Sequence, residues 1–365
     1  MSEIGADSSN MCYGFLFYFQ QRKRSDLSNS RVELRYFSIA LVPVFIFGLH
    51  ELIHHHLIAT DLNVPLEILN DEVTWLEAVG RFRFLAASWF FASLAVLAVA
   101  LLVRNLAKPM AQQTRIAAIA TVLAIFTLAV VPTIEQYMTS ATPRIYHQVG
   151  KAVFETALSL GTLPGCLEPD DQWLLGTCGE IPVFTMFMRV LDIINALAGL
   201  AVGSLIVGMI LCLASSDHES VEETAAELAR SLNQMRQQLY LSSLVLTFGM
   251  FFASSWMYWP LPLISETEKA AYSSLITASA LFTGTYFCLL MLSFYLPVAL
   301  ILDSRIKNLS LMVSKGEMNK QSFDIEDWKT AHGLKEGVGE ILRTGLAIVA
   351  PILASFAGGI APLAV

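Results

Sequence analysis

Residues 182–214 read PVFTMFMRVLDIINALAGLAVGSLIVGMILCLA, thirty-three residues with one arginine and one aspartate. As an α-helix this stretch measures about 50 Å at 1.5 Å per residue, well over the ~30 Å hydrocarbon core of a bilayer. It therefore reads as a membrane-crossing helix that must tilt or protrude. The rest of the chain agrees. Of its 365 residues 55% are hydrophobic and 15% charged, and its mean hydropathy is +0.57. A soluble protein carries about 25% charged residues, so this chain lacks the polar surface to face water all round.

The apolar residues come in blocks of roughly 20, the length that crosses a bilayer. Six membrane helices are predicted, near 36–57, 83–104, 115–135, 182–214, 238–263 and 272–302. A seventh candidate, 345–365, carries small residues at 350, 354 and 358, a rhythm suited to close helix packing. Its Pro351, Pro362 and Gly358-Gly359 pair leave two courses open, a crossing or a dip that returns against the bundle. The fold class is thus an all-α, polytopic membrane helical bundle, with the lipid bilayer as its first partner. The domains are a cytoplasmic N-terminal segment 1–35, the six-helix domain 36–302, an appendage 303–344 and the hydrophobic segment 345–365.

Orientation follows from lysine and arginine in the short connections. Arg22, Lys23, Arg24, Arg31 and Arg35 precede the first helix, Arg104, Lys108 and Arg115 flank the second connection, and seven more cations follow the sixth helix within 303–343. The first and third connections are acidic. The N-terminus is therefore expected in the cytoplasm of a cell membrane, with bacterial inner membrane as the location. The polar opening MSEIGADSSN does not look like a removable signal peptide. The formal charge of −8 and the lack of a basic stripe speak against a nucleic-acid partner.

Cys166 and Cys178 both fall in the long external loop 136–181. In an oxidising compartment they close a small disulfide loop; the alternative is two free thiols. Trp256, Tyr258 and Trp259 cluster at the outer end of the fifth helix, where amphipathic rings suit the headgroup layer. Between the fourth and fifth helices, Val221, Ala225, Leu228, Leu232, Met235 and Leu239 recur at spacings of four and three. That is a coiled-coil seam on a stalk, 218–239, which either packs on the protein's own inner end or joins a homo-oligomer through 221–239. In the appendage, Ser322 and Asp324 are candidate N-caps.

Two constellations carry chemistry. In the fourth helix Asp192, Asn195, Gly199 and Gly203 share one face, and the two glycines form a G-x-x-x-G that lets another helix backbone approach. A carboxylate so deep should face the protein interior, with Arg189 one turn earlier as its partner. This buried pair is either an ion- or proton-handling site or a salt bridge locking two helices. The second is FGLHELIHHH, residues 47–56, in which His50-Glu51-Leu52-Ile53-His54 is H-E-x-x-H. On a helix two imidazoles at i and i+4 hold zinc while the carboxylate takes a proton from metal-bound water, giving Glu51 the catalytic role. Candidates for the third ligand are Glu135, Glu77 and His147. The alternative readings are a polar collar where the first helix leaves the lipid and a pH sensor.

The placement of this motif in a first membrane helix is similar to that in intramembrane zinc peptidases of the site-2 protease family. That resemblance implies a third ligand from an Asp-Gly segment, and this chain has no Asp-Gly pair. A membrane di-iron oxidase is excluded, because its three histidine boxes need more than the seven histidines present. Two function classes follow: a non-enzymatic conduit, sensor or membrane effector, and a membrane-embedded zinc metallohydrolase.

Overall fold

The computed structural model describes residues 32–53, 77–139, 149, 152–153, 172–173, 176–177, 183–215, 220–316, 324–335 and 337–360. Eight α-helices are described: α1 (Leu41–Ile53), α2 (Glu77–Leu106), α3 (Gln112–Thr139), α4 (Val183–Leu211), α5 (Val221–Tyr258), α6 (Lys269–Gly316), α7 (Ile325–Ala331) and α8 (Val338–Ile360). A 3-10 segment, Leu34–Ala40, leads into α1, and a second, Leu261–Leu263, follows α5. Two two-residue strands, Gln172–Trp173 and Gly176–Thr177, pair antiparallel in the long loop. The protein is an all-α bundle. Six helices, all but α1 and α7, are long and apolar enough to cross a membrane.

The pattern of burial is that of a membrane protein. Phe82, Trp89, Ile116, Leu123, Leu346 and Leu353 all point outward and are exposed. Such apolar outer faces on helices that are also apolar inside require lipid around them. The centre belongs to α4 and α5, each with 61% of its most apolar window buried, against 11% for α3.

The stalk is longer than the hydropathy pattern suggests. Ser220 caps α5 by accepting from the Glu223 amide at 3.2 Å, and Glu222 and Glu223 lie in the first turn. From that cap the helix runs 38 residues without a break, about 57 Å. The expected boundary at 302 is absent from the backbone: α6 continues through it to Gly316. Beyond 302 the helix merely changes its outer residues from apolar to charged, with Lys307 and Asp303 paired at 2.7 Å. The two helices zip together there. Ala225, Leu228, Leu232, Met235 and Leu239 are all buried in one cluster with Leu302, Ile306, Leu309 and Leu334, whereas Val221 stays exposed. The seam is thus filled from within the chain.

The hydrophobic segment at 345–365 begins earlier than expected. α8 starts at Val338 and passes through Pro351 unbroken. Its Glu340 accepts a hydrogen bond from the Tyr240 hydroxyl (3.3 Å), and Ala354 packs with Met250 and Ala280. α8 therefore runs alongside α5 in the same direction and does not turn back within 338–360. Gly284 of α6 makes room for it, since a Cβ there would stand 3.0 Å from the Pro351 carbonyl oxygen.

Candidate functional site

The small residues of α4 do what their spacing implies. A Cβ on Gly199 would come 2.4 Å from the Ala129 Cβ, and one on Gly203 would meet the Val122 carbonyl oxygen at 3.4 Å. α3 therefore lies almost directly on the α4 backbone. Asp192 is buried, 8% exposed, whereas Arg189 one turn earlier is exposed. On the same side of α4, Asn195, Gly199, Val202 and Ile206 form one wall of a cavity of about 160 Å³ in the middle of the bundle.

This cavity is enclosed by α1, α2, α3, α5 and α6 as well. Pro43, Val44 and Phe47 close it from α1, and Phe91 and Phe287 from α2 and α6. Among the described residues that line it, the polar side chains are Asn195, Thr283 and Tyr286. The Thr283 hydroxyl already donates to the Ser279 carbonyl oxygen at 3.0 Å. The chamber can hold an apolar guest. It offers no chain of carboxylates for ions or protons beyond Asp192.

The H-E-x-x-H motif lies only partly within the described residues. The backbone of His50 and Glu51 is helical in the last turn of α1. The side chains of His50, Glu51, Glu77 and Glu135, and all of His54 and His147, lie outside the described residues. Among the described residues no three His, Cys, Asp or Glu side chains gather to hold a metal ion. Cys166 and Cys178 also lie outside them, while Cys212 and Cys288 are buried free thiols.

The tryptophans are placed differently from expectation. Trp256 and Trp259 are 0% and 2% exposed and Tyr258 is buried, so they do not stand in the headgroup layer. They pack with Phe84, whose ring lies 5.2 Å from Trp256, 5.4 Å from Trp259 and 5.5 Å from Phe252. A Cβ on Gly80 would sit 2.6 Å from the Trp259 carbonyl oxygen. The α2 backbone thus supplies the opening that takes Trp259 inside.

Arg305 is a structural residue that the charge pattern counted only as a topology signal. Its guanidinium donates to the Leu213 carbonyl oxygen at 2.9 Å and to the Tyr36 hydroxyl at 3.2 Å. The first bond satisfies a carbonyl left open just past the end of α4, where a cation is favoured. One side chain so joins α6, α4 and the 3-10 segment before α1.

These helices define a multi-pass α-helical membrane protein. Comparison with protein-family models, curated proteins and solved structures found no match to this chain.

Proposed function

We propose that this chain is a non-enzymatic membrane sensor whose mid-bundle cavity receives an apolar molecule. The observation that carries the reading is the cavity itself: about 160 Å³, walled mostly by aliphatic and aromatic side chains, in the middle of the bundle. An apolar cavity of about 150 Å³ stays dry in other proteins and accepts a guest the size of benzene. Six helices meet at its walls, so occupancy bears on α1 and on α6, which continues into the stalk. We place the stalk end in the cytoplasm of a bacterial inner membrane. Arg104, Lys108, Arg115, Arg305 and Lys307 at that end support this placement under the positive-inside rule. Homo-oligomerisation through 221–239 would have to displace α6 from the same seam.

The test uses detergent-solubilised full-length protein and cyclohexane. The guest should raise the melting temperature of the wild type and leave a cavity-filling Val202→Phe variant unchanged. Equal shifts in both would remove the cavity from the function. A second reading, the zinc metallohydrolase, is favoured by the helical backbone at His50 and Glu51 in α1. On that reading His50, His54 and Glu135 bind zinc and Glu51 is the base. Zinc analysis of the wild type against a His50→Ala, His54→Ala variant tests it, and equal metal in both would end it. The buried pair of Arg189 and Asp192 is proposed as a helix lock. The Cys166–Cys178 disulfide is proposed for the loop, with free-thiol counting as its check.

A further inference from the structure

A second cavity, of about 290 Å³, opens on the other face of α4, at the stalk end. Its chemistry differs from that of the first. Arg104 and Asn105 in the last turn of α2, and Lys108 just past it, face Gln234, Gln237 and Gln238 of α5 across the end of α4. Among the described residues the lining holds two cations and no carboxylate, and no ion pair engages Arg104 or Lys108. The Lys108 ammonium donates to the Asn105 side-chain oxygen at 2.9 Å, a neutral partner that leaves its charge uncompensated. Partial burial, with the Arg104 charge adding to it, holds Lys108 below the usual lysine range. Two like charges converging on one space without an acid cost free energy unless an anion joins them.

The opposite wall is shaped to let an amide in. Gly208 of α4 has no side chain where the Gln238 amide lies; a Cβ there would stand 2.9 Å from Oε1 and 3.2 Å from Nε2. The amides supply neutral donors beside the two cations, a mixture that suits the oxygens of a phosphate group. Position agrees with chemistry. The apolar span of α2 ends at Leu106, so Lys108 lies at the depth where a membrane helix meets headgroups.

We propose that this cavity binds an anionic phosphate group, with Arg104 and Lys108 as the charged contacts and the glutamine amides, Gln238 above all, as orienting donors. The group comes either from an acidic phospholipid headgroup or from a free phosphate compound. The two sources share the same contacts and differ in how they arrive. Sites of this kind couple a membrane protein's stalk to the lipid or solute composition on that side.

The experiment uses the full-length protein in neutral detergent. One arm adds inorganic phosphate and follows the melting temperature. The other reconstitutes the protein into nanodiscs of phosphatidylglycerol mixed with phosphatidylcholine and counts retained lipids by native mass spectrometry. Arg104→Gln, Lys108→Gln should weaken binding roughly tenfold, the equivalent of losing one charge-assisted contact. Gly208→Ala leaves both charges in place but pushes the Gln238 amide aside, and it should weaken binding by a smaller factor. Lys307→Gln, paired with Asp303 outside the cavity, should bind as the wild type does. Selective retention of phosphatidylglycerol supports the site and assigns it to lipid; stabilisation by inorganic phosphate supports it and assigns it to a free anion. Equal behaviour of the wild type, the double variant and Gly208→Ala in both arms overturns it.

Discussion

The two ends of the bundle are held by different forces. At the tryptophan end, where α5 turns into α6, Phe84, Phe91, Phe252, Trp256 and Trp259 interlock with centroid separations of 5.2 to 5.8 Å. At the stalk end the ties between helices include polar ones: Arg305 to the Leu213 carbonyl oxygen, Tyr240 to Glu340, and Lys108 to Asn105. In lipid, helices gain little from hiding apolar surface from one another, so shape decides at the first end. At the second, water competes for every hydrogen bond, and charges at its rim respond to salt. One end should fail by steric misfit, the other by loss of specific polar partners.

The most damaging way to break that contrast is at Gly80. Adding one methyl, Gly80→Ala, drives a Cβ into the Trp259 backbone, which cannot swing aside as a side chain could. Overpacking of this kind costs about 3 kcal/mol, and the loss should be indifferent to salt. Denaturant unfolding of the solubilised protein at two ionic strengths checks both statements. A loss that salt modulates would place electrostatics at the tryptophan end after all. Next in size is Arg305→Met, which keeps the aliphatic stem but strips the Leu213 carbonyl oxygen and the Tyr36 hydroxyl of their donor. The expected cost is about 2 kcal/mol, that of hydrogen bonds to a charged group. Hydrogen exchange should show the loss at the start of α1 and the end of α4, not at Trp256.

How legible these ends are in the sequence differs for a physical reason. Spans of about 20 apolar residues announce themselves, because lipid demands them at every position. The glycines at 199 and 203 are equally plain, since their four-residue spacing has one use on a membrane helix, and α3 takes it. Trp256 and Trp259 mislead. An indole at a helix end satisfies the headgroup layer and a protein core alike, and only Gly80, far away in sequence, decides for the core. The change from apolar to charged residues at 303 marks where lipid ends, not where α6 ends. Arg104 and Lys108 read as topology signals; that they share a cavity with Gln234, Gln237 and Gln238 emerges only when α2 and α5 are brought together.

A smaller effect is expected where the appendage turns. α7 begins with the Asp324 carboxylate accepting from the Glu326 amide at 2.8 Å, as the cap pattern implies. It ends at Gly333, which adopts φ +69°. Around it the Leu334 amide donates to the Lys329 carbonyl oxygen (2.8 Å) and the Gly333 amide to that of Thr330 (3.1 Å). That pair of bonds, with Leu334 buried behind it, closes the helix in a Schellman motif. Gly333→Ala forces an L side chain into the left-handed region at about 1 kcal/mol. Amide exchange of 325–334 should speed up while that of α5 stays as it is. A change spreading into α5 would show that the appendage holds the stalk rather than resting on it.

The smallest effect sharpens the contrast by pH alone. Glu326 accepts from Lys329 (3.1 Å) and pairs with Lys335 (3.4 Å), which lies beyond the Gly333 turn. The hydrogen bonds from Lys329 and then Lys335 hold its carboxyl below the ordinary range. The folded appendage therefore binds fewer protons than the unfolded one as the group titrates. Its contribution is fully present above the unfolded pKa and is lost as pH falls through the folded value. Both side chains are largely in water, so the effect is small and salt-sensitive. Exchange protection of the Leu334 amide, corrected for intrinsic rates, should decline through the acidic range in the wild type. In Glu326→Gln that decline should flatten. Tryptophan fluorescence from the Trp256–Trp259 core should follow neither change, because no carboxylate takes part in those ring contacts. A fluorescence transition that tracks the Glu326 titration would mean the two ends are coupled through the long α5 and α6 helices.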